Sequence, residues 1–270
     1  MSETDKLFAG SIPENYDRHM VPLIFEAYAR DMSQRVAALA PKAVLETAAG
    51  SGAVTRALAA ILSADASYVV TDLNQPMLDY ATSRQGADSR IVWQKADAQA
   101  LPFEDATFDL VCCQFGVMFF PDRPSGYREA RRVLRPGGHF LFNAWDRIEE
   151  NVFASDVTDA LAAFFPNDPP RFMARTPHGY HDIAQIRSDL AKAGFTYATI
   201  ETVAAQSRAP SARDVALAYC QGTPLRNEIE ARGEGQLEAA TDHAASVIAS
   251  RHGRGKISAK IQAHVVLARV

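Results

Sequence analysis

Ala43-Val44-Leu45-Glu46-Thr47-Ala48-Ala49-Gly50-Ser51-Gly52 is the stretch whose reading decides the fold of this chain. Ala43 to Leu45 is a short apolar run of the kind a buried strand presents. It meets an acid, small residues and two glycines, and then a helix-compatible run from Ala53 to Leu62. Strand, tight glycine turn and helix is how an α/β sheet offers backbone to a nucleotide-like ligand. Gly50 and Gly52 lack Cβ atoms, so the turn can take left-handed φ values and approach a ligand closely.

A dinucleotide fingerprint has the form G-x-G-x-x-G/A, with its third small residue letting the helix sit close to the strand. Here the run is Gly50-Ser51-Gly52-Ala53-Val54-Thr55, and Thr55 is a poor third member. The glycines also come late, after Glu46-Thr47-Ala48-Ala49. This E/D-x-x-x-G-x-G pattern resembles the first motif of the class I S-adenosylmethionine (SAM)-dependent methyltransferases. Ala48 stands where that family usually has glycine, and Glu46 where it often has aspartate.

The following segments continue the pattern. Ala66-Ser67-Tyr68-Val69-Val70-Thr71-Asp72 is a β-branched strand ending in an acid, 26 positions after Glu46 (72 − 46). An acid at the end of a second strand can accept hydrogen bonds from both ribose hydroxyls. Asn74 and Gln75-Pro76 can start the next helix, which frees Asp72 from a capping role. Asp72 to Leu78 resembles the family's second motif, in which Leu73 and Met77 flank the ligand. A third strand, Arg90 to Gln94, leads to Lys95-Ala96-Asp97-Ala98-Gln99-Ala100-Leu101-Pro102-Phe103. The resemblance places Asp97 on the exocyclic amine of adenine and the Ala98 backbone N–H on a ring nitrogen. Asp97 read alone is also an ordinary turn cap.

Phe108 to Asp122 is a strand running into a bulky apolar loop. Gly116 and Pro121 break any regular element there, and a loop this apolar suits a pocket wall. Gln114, Phe115 and Met118 are expected to face the methionine end of the cofactor and the substrate, with Phe119 beside them. Arg123 to Leu134 reads as a helix that Arg135-Pro136-Gly137-Gly138 stops by a glycine C-cap. His139 to Trp145 is a fifth strand, and Leu-Arg-Pro-Gly-Gly before an apolar strand is a further mark of the family. Strands alternating with helices call for a parallel, doubly wound α/β sheet. With a strand at Tyr197–Val203 and a terminal strand at Ala263–Val270, the resemblance implies a seven-stranded, mostly parallel Rossmann-like sheet, its last strand inserted antiparallel beside the fifth.

The flanks carry the remaining expectations. Ser11-Ile12-Pro13-Glu14 is a capping-box pattern that starts a short helix, which Pro22 should interrupt; a second helix runs from Leu23 to Leu39. The domain plan is a single unit over 1–270, with cap helices at 11–40, a cofactor-binding core at 43–145 and a helical lid inserted at 205–255. The helices of that lid are expected from Ser211 to Tyr219 and after Gly235. Tyr16, His19, His178 and His181 are the candidates for a general base, and Tyr16, Met118, Phe119 and Tyr180 for the substrate pocket. Each of these histidines and tyrosines has an equally ordinary structural explanation.

Composition sets the outer bounds. The net charge is −4 and the pI near 6.0, against a nucleic-acid binder that relies on a broad basic surface. There is no apolar run long enough to span a bilayer, and the acidic start Met1-Ser2-Glu3-Thr4-Asp5-Lys6 is unlike a signal peptide, so the cytoplasm is the expected location. Three cysteines, Cys112, Cys113 and Cys220, give neither a disulfide framework nor metal-ligand spacing, so no metal is expected. The resemblance implies transfer of a methyl group from SAM to a small, partly apolar molecule, with Glu46 meeting the cofactor's amino group. A SAM-binding regulator without transferase activity and an NAD(P)-dependent oxidoreductase are the alternatives. The acceptor, the methylated atom type and the oligomeric state are not legible.

Overall fold

The computed structural model describes residues 12–270; Ser11 of the expected capping box, and residues 1–10, lie outside it. Among the described residues seven strands form one sheet: β1 (Ala43–Glu46), β2 (Ser67–Asp72), β3 (Ile91–Lys95), β4 (Phe108–Gln114), β5 (Leu134–Trp145), β6 (Tyr197–Ala209) and β7 (Ile257–Arg269). Their order is β3-β2-β1-β4-β5-β7-β6. The first five are parallel, and β7 runs antiparallel to both β5 and β6.

The reason for the centre is visible in β1. All four of its residues are buried, as an apolar run between two neighbours and two helical layers demands. Its chain continues outward to β2 and β3, whereas β4 and β5 build the other side. The order therefore reverses between β1 and β4, and the crevice beyond their carboxyl ends is where an open α/β sheet binds ligands. Met32, Val36, Val54, Leu58, Tyr68, Leu110 and Leu141 fill one face of the sheet; Phe108, Val111, Tyr127, Phe140, Phe142 and Phe153 belong to the core on the other. Burying each such side chain stabilises by roughly 1.5–3 kcal/mol before entropy is counted.

Helices follow the strands: α3 (Ala53–Ala59) after β1, α4 (Gln75–Gln85) after β2 and α5 (Arg123–Val133) before β5. Three local expectations are corrected. Pro22 does not break the N-terminal helix: α1 (Ile12–Asn15), a π-helical stretch Tyr16–Phe25 and α2 (Glu26–Leu39) follow one another without a gap. Proline has no N–H to donate, and the wider turn shifts the ladder, as the Glu26 N–H bond to the Val21 carbonyl shows. Gly137 and Gly138 do not cap α5 either. The helix stops at Val133, Leu134 is already extended, and the glycines lie in β5 where its register with β4 slips. Gly137, at φ +82°, donates to the Val270 carbonyl, so its freedom serves a strand irregularity. Lastly, β6 extends to Ala209, because β7 pairs with it along its whole length from Arg269 back to Ile257.

Between β5 and β6 lie α6 (Val152–Phe164), α7 (Phe172–Arg175) and α8 (Ile183–Lys192). Between β6 and β7 lie α9 (Ala212–Gln221), α10 (Leu225–Glu230) and α11 (Gln236–His252). Ser211 caps α9 by accepting from the Asp214 N–H, as its sequence position suggests. Ala240, Thr241, Ala244 and Ile248 bury one face of α11. No described helix is long and apolar enough to cross a membrane.

Candidate active site

The glycine loop begins where β1 ends. Thr47 donates its N–H to the Cys112 carbonyl of β4, and Ala49 to the Thr71 carbonyl of β2, both near 3 Å. Pinned on both sides, the loop turns through Ala48 at φ +53° and Gly50 at φ +57°. The Ala48 value is a left-handed conformation in which a Cβ is strained by about 1–2 kcal/mol. Phe115, at φ +55°, has the same conformation at the end of β4. The two strained residues border one another through Gly116: a Cβ there would fall 2.5 Å from Ala48 Cβ and 2.7 Å from Cys113 Sγ. Strain stored at two facing strand ends is common where a ligand must be met closely.

Asp72 closes the loop from the β2 side. Its carboxylate accepts from the Gly50 N–H and from the Asn74 N–H, each at 2.8 Å. It is 6% exposed, and burial raises its pKa against the opposing pull of these donors. A cleft lies beside it, with about 810 Å³ of empty space counting the part open to solvent. Its walls hold Ala48, Gly50, Asp72, Leu73, Met77, Asp97, Ala98, Gln114 and Phe115 of the residues anticipated for a cofactor. Asp97 is exposed on a tight turn and takes the Gln99 N–H on its carboxylate at 2.9 Å. Gln114 holds the Phe25 carbonyl at 3.5 Å through Nε2, while its buried Oε1 has no hydrogen-bond partner among the described residues.

Two anticipated residues are not on this wall. Glu46 is 2% exposed beneath the loop, where Oε2 accepts from the Thr55 hydroxyl at 2.7 Å and from the Tyr68 hydroxyl. Burial pushes its pKa up to about 7, with both hydroxyls opposing. It stands under the site as a buried brace because Thr55, the poor third member of the fingerprint, occupies its carboxylate. Gly52 faces α4, where a Cβ would meet Ala81 Cβ at 3.1 Å; it allows α3 and α4 to approach.

A second cavity, of about 430 Å³, adjoins the first. Tyr16, Phe115 and Phe119 line both and so form their common wall. Behind it lie Phe25, Met118, Trp145, Phe172, Met173 and His178, with Thr223 and Pro224 from the turn between α9 and α10. Phe115 and Trp145 stack at 3.8 Å with only 5° between planes, and Tyr28 meets both edge-on. Such pairs add about 0.5–1.5 kcal/mol beyond area burial and hold the wall rigid.

Of the four candidate bases, Tyr16 and His178 are in this cavity. His19 and His181 are not on either wall: His19 is partly exposed on the π-helical stretch and His181 turns its Nδ1 to the His178 carbonyl. Tyr180 is corrected as a pocket residue. It is buried against Tyr127 and Asp189 by hydrogen bonds of 3.2 and 3.0 Å, with the Arg123 guanidinium over its ring.

Asp17 went unremarked in the sequence as a site residue. It accepts from Ser51 Oγ at 2.9 Å and from Arg56 Nη2 at 2.7 Å, so the helix bearing Tyr16 is tied to the glycine loop. A helical stretch rich in charge, Tyr16-Asp17-Arg18-His19, could have signalled it only with the partner loop in view. Trp145 and Phe172 were missed because core aromatics and pocket aromatics look alike in sequence.

A glycine loop at a strand-order reversal, an acid at the end of β2 and a polar turn after β3 define a nucleoside-cofactor site of the Rossmann-like methyltransferase type. The model of the methyltransferase domain family matches residues 45–142. The ubiquinone/menaquinone biosynthesis C-methyltransferase UbiE of Bartonella tribocorum is 33% identical over 182 residues, covering 62% of this chain and 70% of that protein. UbiE of Saccharophagus degradans is 35% identical over 164 residues, 56% of this chain and 66% of that one. Other curated relatives are matched over less of their length, 43% for the demethylmenaquinone methyltransferase of Clavibacter sepedonicus. The YcgJ protein of Bacillus subtilis shares the fold, with a TM-score of 0.56 at 18% identity over 90% of this chain and 98% of that one. The chain belongs to the class I SAM-dependent methyltransferases, of the UbiE type. The cofactor of that family is SAM.

Proposed function

We propose that the protein transfers a methyl group from SAM to a small, largely apolar molecule, with the cofactor in the larger cavity and the acceptor in the smaller one. The observation that carries this reading is that Tyr16, Phe115 and Phe119 line both cavities, so ligands in the two would meet along these residues, as the direct contact of in-line methyl transfer requires. The donor set of the larger cavity suits the cofactor. Asp72 would take the ribose hydroxyls, Asp97 and Ala98 the adenine edge, and Leu73 and Met77 the faces of the adenosine. Gln114 Oε1, buried without a donor, suits the cationic amino group of the methionine end. When bound, SAM supplies an already activated methyl sulfonium, leaving the chain to align, to exclude water and to receive any proton released.

The apolar lining of the smaller cavity favours an acceptor with a flat hydrophobic body, as the quinone-pathway names of the relatives suggest. The N-terminal helices and α9 to α11 are read as its cover, α9 and α10 contributing through Thr223 and Pro224. Calorimetric titration tests the cofactor: micromolar-range binding of SAM or S-adenosylhomocysteine is expected. Binding of NADH with none of SAM would overturn the reading. Incubation with methyl-labelled SAM and reduced quinones lacking one ring methyl tests the acceptor class. The expected result is label in the organic phase, and none with any such quinol would reject a quinol acceptor.

A further inference from the structure

His178 has an environment that fixes what it can do. It is 4% exposed on the wall of the smaller cavity. Its Nδ1 lies 2.8 Å from the Asp146 carbonyl, which can only accept, so Nδ1 carries the proton and Nε2 keeps a lone pair. Burial pushes the imidazole pKa down to about 4, which keeps the ring neutral at physiological pH. The ring is held from behind. Asp146 directly follows β5, with its carboxylate on Gln262 Nε2 at 2.6 Å and on the Arg147 N–H at 2.7 Å, and its own N–H on the Gln262 carbonyl at 3.1 Å.

No described residue donates to Nε2 of His178. Thr223, also on the cavity wall, has its hydroxyl committed, since Oγ1 donates to the Tyr219 carbonyl at 2.7 Å. Met118, Trp145, Phe172 and Met173 are among the apolar residues that line the cavity with His178. An acceptor with no donor among the described residues, in a mostly apolar cavity, discriminates strongly, because a ligand with a donor satisfies it and an apolar ligand leaves it unpaired. Position matters too. The Trp145 ring stacks on Phe115 at 3.8 Å and lies 6.0 Å from the His178 ring.

Resting on the assignment of the smaller cavity to the acceptor, we propose that His178 determines acceptor specificity by accepting, at Nε2, a hydrogen bond from an O–H or N–H of an otherwise apolar molecule. His178 shares this cavity with the three residues of the common wall, so a molecule bound by it also reaches that wall. The acceptor then carries a hydrogen-bond donor for His178 and presents its methyl-accepting atom at the Tyr16, Phe115 and Phe119 boundary. Such an anchor sets which edge of a flat molecule meets the cofactor.

The test compares 2-naphthol with its methyl ether by calorimetry on the full chain saturated with S-adenosylhomocysteine. Wild type is expected to bind the naphthol about tenfold more tightly than the ether, the worth of one hydrogen bond in a dry site. His178→Phe should bind both alike and keep wild-type affinity for S-adenosylhomocysteine. In the wild-type protein, nitrogen NMR of labelled histidine should move the Nε2 resonance of His178 with naphthol and not with the ether. This measurement stands if the variant fails to fold. An unchanged naphthol preference in His178→Phe, or an Nε2 resonance indifferent to naphthol, would overturn the role of His178. If neither aromatic binds while S-adenosylhomocysteine does, the acceptor assignment falls and takes this proposal with it. If S-adenosylhomocysteine does not bind, the cofactor reading is the one that fails.

Discussion

Replacing Asp72 by asparagine separates two jobs that the side chain has at once. Its oxygens accept from Gly50 and Asn74, both at 2.8 Å, and they face the cavity in which the ribose is proposed to lie. An amide of the same shape has one acceptor oxygen, so one of the two backbone N–H groups must lose its partner. That costs about 1–3 kcal/mol of folding stability. Loss of the charge also weakens bonds to the two ribose hydroxyls, where charge-assisted bonds contribute roughly 1.5–3 kcal/mol. Binding of S-adenosylhomocysteine should therefore fall about ten- to a hundredfold. A loosened loop alone would also weaken binding, and a second ligand distinguishes the causes. Wild type should prefer S-adenosylhomocysteine over its 2′-deoxy analogue by about tenfold. In Asp72→Asn that preference should shrink to a few-fold. Equal weakening of both ligands, with the preference intact, would refute the ribose assignment and leave Asp72 as a loop brace.

Other perturbations act on neighbouring parts. Gly116→Ala forces a Cβ to within 2.5 Å of Ala48 Cβ, and overpacking of this kind should cost about 1–3 kcal/mol in thermal melts and weaken S-adenosylhomocysteine binding as Ala48 shifts. Glu46 has its folded pKa raised from 4.5 to about 7, so its protonated form is favoured by folding: this stabilisation is complete below pH 4.5 and lost as pH rises to about 7. Over that window it amounts to roughly 3 kcal/mol, and Glu46→Gln should remove the corresponding slope from urea melts taken across it. Asp17→Ala cuts the ties to Ser51 and Arg56; hydrogen exchange over 12–25 should quicken, with cofactor affinity lowered severalfold. Trp145→Ala, removing a 3% exposed ring stacked on Phe115, should cost about 3–5 kcal/mol, read from denaturant midpoints.

Much of the architecture was legible because β strands here are short apolar runs ending in chemistry-bearing residues. Glu46, Asp72 and Gln114 each end the strand expected of them, and the antiparallel insertion of β7 beside β5 followed from the resemblance. What failed was decided by tertiary context. Pro22 is a helix breaker by local rule, yet packing of Met20, Leu23, Ile24 and Phe25 into the core holds the chain in a π-helical path through it. Glycines after α5 look like a C-cap, but pairing of Leu134 with Phe108 pulls the chain straight into β5. In the site, spacing found the glycine loop and the acid that ends β2, but it cannot say which way a side chain turns. Glu46 and Gly52 turn away from the cavity, and Tyr180 spends its hydroxyl on Tyr127 and Asp189. The second cavity is assembled from the π-helical stretch, β5, α7 and the turn before α10, elements too distant in sequence for any motif to join.

A crystal structure with S-adenosylhomocysteine bound tests the account at its centre. The account predicts adenine beside Asp97 and Ala98, ribose hydroxyls on Asp72, the amino group on Gln114, and the sulfur at the wall of Tyr16, Phe115 and Phe119 facing the smaller cavity. A ligand whose sulfur points away from that wall, or one bound outside the larger cavity, would contradict it.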